Sequence, residues 1–389
     1  MEIQKSPSLT KQLGALTLAR LFLNTGVRMV YPFVPVLARG LGVGRTDITR
    51  LITLRNSTGF LSPLFGPLSE RYGRRIVLTG GMLLFGLGCI VVVIWPTYWA
   101  LGITLAAMGV AKVIYDPALQ AHVGDVVPYA RRGRAIAFTE YSWALALLIG
   151  APLTALAMQK WGWQAPFFWL ALLGSGAALL LLRSISSTRP GTPALTHLRS
   201  SLWFVRHHPV VLYAMLYTAL ITLANEMLFI VFGSWMEDSF QLSLASLGIA
   251  AAVIGGAELM GETIAGWSVD RFGKRPVIIT TGLFNALCYL LLPFTSASLT
   301  AALLTLFLVF LSFEITVVGG MPLMTELVPS GRVIVMSMII FAMSMGRTIG
   351  AFLGLLLWQA ASPIWNGFLW AIIMATAVLI LALWIREGT

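Results

Sequence analysis

Gly66-Pro67-Leu68-Ser69-Glu70-Arg71-Tyr72-Gly73-Arg74-Arg75 returns two hundred residues later as Gly266-Trp267-Ser268-Val269-Asp270-Arg271-Phe272-Gly273-Lys274-Arg275. Two glycines, one acid and the basic residues keep their places, and each copy follows a long apolar run. A second echo pairs Asp125-Val126-Val127-Pro128 with Glu326-Leu327-Val328-Pro329 at an offset of 201, and Gly150 corresponds to Gly350. The chain is therefore two halves built alike and repeated in the same orientation. That is the build of carriers that expose one central site alternately to two sides of a membrane.

The composition around the repeat fits a membrane. Of 389 residues, 58% are apolar and only 11% charged, against roughly 25% charged in an ordinary soluble domain. So few charges cannot cover a water-soluble surface, and the mean hydropathy of +0.86 agrees. A helix needs roughly 20 apolar residues to cross a bilayer. Twelve segments qualify: 13–38, 47–69, 76–95, 98–122, 135–159, 165–182, 210–232, 245–269, 276–293, 300–324, 333–359 and 365–385. The expected fold is all-α and integral to the membrane, with twelve transmembrane helices in two six-helix bundles, residues 1–182 and 210–389. A linker, 183–209, joins them. This excludes a soluble enzyme on one anchor, a secreted disulfide scaffold and a disordered chain. Cys89 and Cys288 lie inside apolar runs and read as small core residues. The start of the chain shows no cleavable signal peptide.

The net charge of +11 is not a nucleic-acid footprint, because the basic residues sit in short loops between segments. With both termini on one side, that side holds seventeen Lys and Arg against four on the other: Arg39, Arg45, Arg50 and Lys160. The excess places both termini in the cytoplasm and the chain in a plasma (inner) membrane as a multi-pass protein. Trp95, Trp99, Trp161, Trp163, Trp235, Trp358 and Trp365 mark outer segment ends as an aromatic belt. In the linker, Leu195, Leu198, Leu202 and Val205 recur at helical spacing beside Arg199 and Arg206. A short amphipathic helix on the membrane surface and an irregular loop are both open readings.

The repeated decapeptide resembles motif A of the major facilitator superfamily, standing in loops 2–3 and 8–9 where that family carries it. Glu70 takes the place of the usual Asp, and Val269 and Lys274 are further variants. The resemblance implies that Glu70 and Asp270 contact the starts of segments eleven and five in the opposite half, locking the inner gate. Independently, each acid ends a helix, where the dipole disfavours an anion and favours a partner outside that helix. Gly66 and Gly266 permit close helix approach, Gly73 and Gly273 a tight turn, and Arg71, Arg74, Arg75, Arg271, Lys274 and Arg275 complete the motif. The bland alternative is that these basic loops only fix topology. Gly150-Ala151-Pro152 keeps part of the family's motif C, which belongs to antiporters, or else is an ordinary proline kink. Motif B is absent: only Gly109 remains of it in segment four, with Lys112 one turn on. Gly346, Gly350 and Gly354 predict tight packing of segment eleven.

Eleven ionisable residues fall well inside the segments: Arg20, Arg28, Arg55, Lys112, Asp116 and Glu140 in the first half, Glu226, Glu258, Glu262, Glu314 and Arg347 in the second. Each costs roughly 2.5–3.5 kcal/mol against lipid, so they face a cavity or a partner. None lies on segments 3, 6, 9 or 12, the four that the family resemblance puts outside. Lys112 and Asp116, four apart, are expected to pair, with Arg20 within reach. Arg28 has no partner in its own half; a substrate anion or Glu226 would serve. Glu258 and Glu262, four apart on one face, do not both ionise easily in a low-dielectric site, so one holds a proton or shares Arg347. The candidates for the coupling proton are Glu258, Glu262, Glu314 and Asp116. The candidates for lining the substrate cavity are Arg20, Arg28, Arg55, Lys112, Glu140, Glu226 and Arg347. For each, a purely structural ion pair or hydrogen bond is the alternative.

Resemblance to the twelve-segment drug and metabolite antiporters implies proton-coupled export of a small amphipathic compound by alternating access. An organic-anion carrier using Arg20, Arg28, Lys112 and Arg347 is the alternative, and a non-transporting receptor on the same fold a distant third. No catalytic motif is present, so no enzyme is expected. The expected partners are a small-molecule substrate, protons and the lipid bilayer, without nucleic acid, metal or cofactor, on a monomeric chain.

Overall fold

In the computed structural model, residues 8–65, 68–186, 198–295, 297–328 and 331–385 are described, and all their regular structure is helical. Ten helices among them are long and apolar enough to cross a membrane. Segments 3 and 4 are Arg74–Ile94 and Tyr98–Val126. Segment 5 joins Tyr129–Leu145 to Ala151–Trp161 through a π-helical turn, Ala146–Gly150. Segments 6 to 9 are Ala165–Ser184, Pro209–Phe240, Leu244–Phe272 and Lys274–Leu291. Segments 10 to 12 are Leu299–Glu326, Arg332–Ala360 and Pro363–Trp384.

Segments 1 and 2 are broken. Leu9–Arg28 stops before Pro32 and resumes as Val34–Leu41, because proline cannot donate the hydrogen bond a continuing helix needs. Segment 2 passes from Arg45–Ser57 through a tight turn, Thr58–Leu61, into the short pieces Ser62–Phe65 and Leu68–Tyr72. A linker helix, Leu198–His207, is formed; Leu195 and the Ser/Thr/Pro-rich stretch before it lie outside the described residues.

The repeat is visible in local detail. Thr97 and Ser298, again 201 apart, cap segments 4 and 10 with hydroxyls that accept from Ala100 N at 3.3 Å and Ala301 N at 3.4 Å. Gly73 and Gly273 both stand at φ +86°, with ψ of 147° and 155°, a region open essentially to glycine alone. Arg74 Nε donates to Asp125 Oδ2 at 3.0 Å, and Lys274 pairs in the same way with Glu326. The two echoes of the sequence are thus partners: motif A of each half is tied to the end of its own fourth helix.

Close helix contacts are made where side chains are missing. A Cβ on Gly346 would lie 2.2 Å from Ala219 O, one on Gly350 2.8 Å from Glu226 Cβ, and one on Gly354 2.9 Å from Met227 O, so segment 11 lies flat on segment 7. Gly109 meets Thr58 Oγ1 and Arg55 O in the same way. The halves also touch through such positions. Gly255 would reach Leu148 N at 2.3 Å, Gly248 the Ala155 Cβ at 2.7 Å, Gly233 the Pro32 O at 2.4 Å and Gly59 the Ser344 Oγ at 2.2 Å.

These cross-half contacts lie toward the end that carries Arg39 and Arg45. Arg28, Tyr31, Arg39, Arg45 and Asn56 of the first half make hydrogen bonds and ion pairs to the second. At the other, basic end Asp270 is exposed and joins no ion pair among the described residues, and a Cβ on Gly266 would meet only open space. The molecule is clasped at the Arg39 and Arg45 end, and Asp270 of motif A is not part of the clasp. Gly66 and the side chain of Glu70 lie outside the described residues.

One expectation of the aromatic belt fails. Trp95, Trp99, Trp161 and Trp365 are exposed, but Trp235 is 3% exposed. It packs edge-on against Trp358 at 6.4 Å, and Trp358 in turn stacks on Trp370. Segment 7 runs past the expected 232 to Phe240, which draws Trp235 into the core.

Candidate functional site: the central charged cluster

The intramembrane charges meet near the middle of the bundle in three groups. The first is confined to the first half. Asp116 takes Arg20 Nε on one oxygen at 3.0 Å and Lys112 Nζ on the other at 2.8 Å. Arg20 Nη1 reaches Glu140 Oε1 at 2.8 Å and Thr139 O at 3.2 Å. Lys112 also donates to Asn24 Oδ1 at 2.7 Å, and Asn24 to Ser142 Oγ at 3.1 Å. The expected Lys112–Asp116 pair forms, and Arg20 joins it. Two cations and two carboxylates close into a neutral network across segments 1, 4 and 5.

The second group stitches the halves together, always with the donor in the first half and the carboxylate in the second. Arg28 grips Glu258 with two parallel bonds, Nη1 to Oε2 at 2.5 Å and Nη2 to Oε1 at 2.6 Å, and the side chains are 1% and 3% exposed. The expectation that Arg28 would take Glu226 or a substrate anion is therefore corrected. Its partner lies on segment 8, where the bidentate geometry is met. Glu258 and Glu262 do not share Arg347 either. Glu226 accepts from Tyr31 Oη at 2.5 Å and Asn56 Nδ2 at 2.9 Å. Arg55 holds that arrangement by donating to Tyr31 Oη at 2.7 Å, to Asn56 Oδ1 at 2.8 Å and to Val27 O. At the rim, Arg45 binds Asp238 at 2.6 Å and Glu237 at 2.9 Å, while Arg39 binds Glu237 at 2.7 Å. Asp238, hydrogen-bonded to Arg45, holds its guanidinium above the ordinary arginine range.

The third group is what pairing leaves over. Glu262 and Glu314 accept no hydrogen bond and join no ion pair among the described residues, and Glu262 Oε2 is buried without a partner. Glu314 Cβ packs 2.8 Å from where a Cβ of Gly261, the residue before Glu262, would stand, so segment 10 lies close on segment 8 there. Arg347 likewise makes no ion pair there. Its guanidinium lies 5.1 Å from the ring centre of Trp143, which Arg28 also covers at 4.2 Å and Lys112 at 5.1 Å. Arg347 thus shares one indole with the paired Arg28 and Lys112.

Gly150 and Pro152 flank the joint of the π turn with the rest of segment 5, and Gly150 lets Thr25 approach to 2.7 Å from a would-be Cβ. Of the motif A bases, Arg74 and Lys274 pair as described, Arg275 donates to Ile385 O and Ala382 O at the end of segment 12, and Arg71 and Arg271 lie over Tyr72 and Trp267. Sequence reasoning missed Trp143, Tyr31, Asn24, Asn56, Glu237 and Asp238. Asn24 and Tyr31 had a signal: positions 20, 24, 28 and 31 form a polar stripe at helical spacing on segment 1.

Two stacked six-helix repeats with a charged centre define a membrane carrier, and comparison with known proteins gives its family. The family model of the Major Facilitator Superfamily matches residues 16–225 and again 214–389. The chain belongs to that superfamily, and it is a transporter rather than an enzyme. It is 23% identical over 348 residues to the uncharacterized MFS-type transporter YceJ of Bacillus subtilis, covering 87% of both chains. It is 26% identical over 291 residues to the class C tetracycline resistance protein of Escherichia coli, covering 70% of both. Among solved structures it resembles a bacterial homolog of the human lysosomal transporter Spinster. The TM-score is 0.77 at 13% identity, over 97% of this chain and 96% of that one. This last likeness is one of fold.

Proposed function

We propose that the protein is a proton-coupled exporter of a small amphipathic compound, with both termini in the cytoplasm of a plasma (inner) membrane. Residues 1–182 and 210–389 act as the two moving halves on the 183–209 linker. The observation that carries the coupling is the pair of partnerless carboxyls, Glu262 and Glu314. Asp116 is held by two cations and Glu258 by a bidentate guanidinium, so neither is free to exchange a proton in this conformer. Glu262 and Glu314 have no such hold, and a carboxyl without a partner in an apolar interior takes up a proton more readily than one that is paired. With both ionised, the leftover group of Glu262, Glu314 and Arg347 carries one negative charge; one proton neutralises it. Proton loss and substrate capture then compete at one place, which is the requirement for exchange.

Export is supported by relatives named as resistance proteins, among them the class C tetracycline resistance protein and the quinolone resistance protein NorA of Staphylococcus aureus. The organic-anion alternative loses Arg20, Arg28 and Lys112, which protein carboxylates already hold. In the opposite conformer the motif A acids Glu70 and Asp270 take up the starts of segments 11 and 5. The reading is tested in proteoliposomes with an imposed pH gradient, screening amphipathic compounds for gradient-driven accumulation. Glu262→Gln or Glu314→Gln is expected to abolish accumulation while leaving downhill substrate exchange. Full gradient-driven accumulation in both variants and in their combination would sink it.

A further inference from the structure

Segments 7, 10 and 11 border a recess on the side of the charged residues away from the Arg39 and Arg45 clasp. Along these helices Tyr217 precedes Glu226, Gly320 follows Glu314, and Met343 precedes Arg347. The recess holds about 250 Å³ with its mouth counted. A cavity of about 150 Å³ is enough for a benzene ring, so there is room for one substituted ring and little more. One polar atom in it is unmet. Tyr217 is 2% exposed, and its Oη has no hydrogen-bond partner. A Cβ on Gly320 would meet only Ile278 Cδ1 at 3.9 Å and that Oη at 4.0 Å, so the hydroxyl looks onto open space. The two threonine hydroxyls of the lining are engaged: Thr218 donates to Ala214 O at 2.8 Å and Thr316 to Ser312 O at 2.7 Å. The remaining lining is aliphatic or thioether, with Met321 and Met324 on segment 10 facing Met343 on segment 11. Among the described residues no charged side chain borders the recess.

We infer that this recess is a binding site for an uncharged aromatic ring that carries a carbonyl oxygen, the oxygen taken by Tyr217 Oη and the ring by the three methionines. The inference names the apolar end of the amphipathic compound proposed above and rests on that reading. Each part of the ligand has its reason in the lining. A buried hydroxyl without a partner is a cost that an acceptor removes, and Tyr217 has its O–H to donate. Thioethers are flexible and polarizable and make favourable contacts with aromatic rings, so three of them adapt to rings of differing substitution. A charged group would find no counter-ion here and would lose its hydration. A purely aliphatic group would leave Oη unmet, and a lone water would meet Oη but leave the thioethers uncovered. The recess therefore selects by one hydrogen bond and by aromatic character, without charge.

The test uses purified full-length protein in detergent and benzophenone, an aryl ketone that on irradiation inserts into nearby C–H bonds and favours methionine. Labelled residues are found by peptide mass spectrometry. Label on Met321, Met324 and Met343 is expected to exceed that on Met260 and Met345, which are exposed. Tyr217→Phe removes an oxygen that bonds to nothing in the structure, so the thermal melt should stay in place. That variant is expected to lower the label on the three methionines about two- to ten-fold relative to Met260, the worth of one hydrogen bond. Gly320→Ala adds a methyl with ordinary contacts of 3.9 and 4.0 Å; it narrows the recess without a clash and is expected to lower the label as well. Label on the three no higher than on Met260, as when a water alone fills the recess, overturns the inference, and so does label unchanged by Tyr217→Phe. Should the label behave as expected while a pH gradient drives no compound into proteoliposomes, the binding site stands and the exporter reading fails. Should a gradient drive amphipathic compounds while the label ignores Tyr217, the exporter reading stands and the site fails.

Discussion

Replacing Glu258 by Gln removes one charge from the most buried contact between the halves. Arg28 and Glu258 are 1% and 3% exposed and share two short bonds. The guanidinium keeps Trp143 O at 2.9 Å and the Trp143 face, but neither neutralises it. Losing one partner of such a pair costs about 3–5 kcal/mol, because a charge is left buried without its counter-ion. The cost falls on the conformer described here. When the halves separate at this end, Arg28 and residue 258 part and hydrate, and the substitution matters little. The equilibrium between the two conformers should therefore move roughly 10²–10⁴-fold toward the form open at the Arg45 end. The assay is a pair of spin labels at Arg50→Cys and Ser239→Cys, both exposed and in opposite halves; the native Cys89 and Cys288 are buried. The Glu258→Gln variant should show a longer distance population that is minor in the parent. Replacing both partners with apolar residues, Arg28→Met with Glu258→Leu, should return the short distance, since an apolar pair of like volume matches or exceeds a buried ion pair. A distance distribution unchanged by Glu258→Gln would refute the view that this pair holds the end shut.

The same labels read a steric version of the idea: Gly255→Ala sets a methyl 2.3 Å from Leu148 N, where no side chain can yield, and should hold the end open. Gly273→Ala should lower stability by about 1–3 kcal/mol at its positive φ, seen as an earlier thermal melt, and Gly73→Ala should match it. Asp125→Asn with Glu326→Gln breaks the two repeat-related loop pairs, 45% and 44% exposed on the acid side; such pairs contribute about 0–1 kcal/mol each, so the melt should barely move. Raising salt from about 0.1 M to 1 M shortens the screening length from ~10 Å to ~3 Å. It should loosen the exposed Arg39 and Arg45 rim pairs while leaving the buried Arg28–Glu258 contact in place, so the label distance should broaden without a full opening.

The helices and the repeat could be read from the sequence because they rest on local quantities: apolar length, the left-handed glycines at 73 and 273, and the basic loops. The two echoes were equally plain, yet their pairing with each other was not, since nothing in Arg74 or Asp125 states that one folds onto the other. The centre was legible as an inventory. All eleven charges were found, and Lys112 with Asp116 followed from spacing four. Arg28 was matched to the wrong glutamate because cross-half partners depend on how the bundles are docked, which no periodicity encodes. Trp143 went unseen because a lone aromatic in an apolar segment looks like core; only the three cations around its ring distinguish it.

The π-helical turn at Ala146–Gly150 gives the repeat its last piece of bookkeeping. One residue more lies between Asp125 and Gly150 than between their mates Glu326 and Gly350. Segment 11 covers its stretch with an unbroken α-helix, while segment 5 absorbs the surplus as a single wide turn, the form an inserted residue takes inside a helix. The insertion rotates everything before it by about 100° relative to everything after it. Gly150 and Ala155 thus keep the packing face that their half shares with segments 1 and 8, while Trp143 is swung around toward the centre. An added residue, tolerated as a bulge, thus lets segment 5 present a face before the bulge that segment 11, its mate in the repeat, does not.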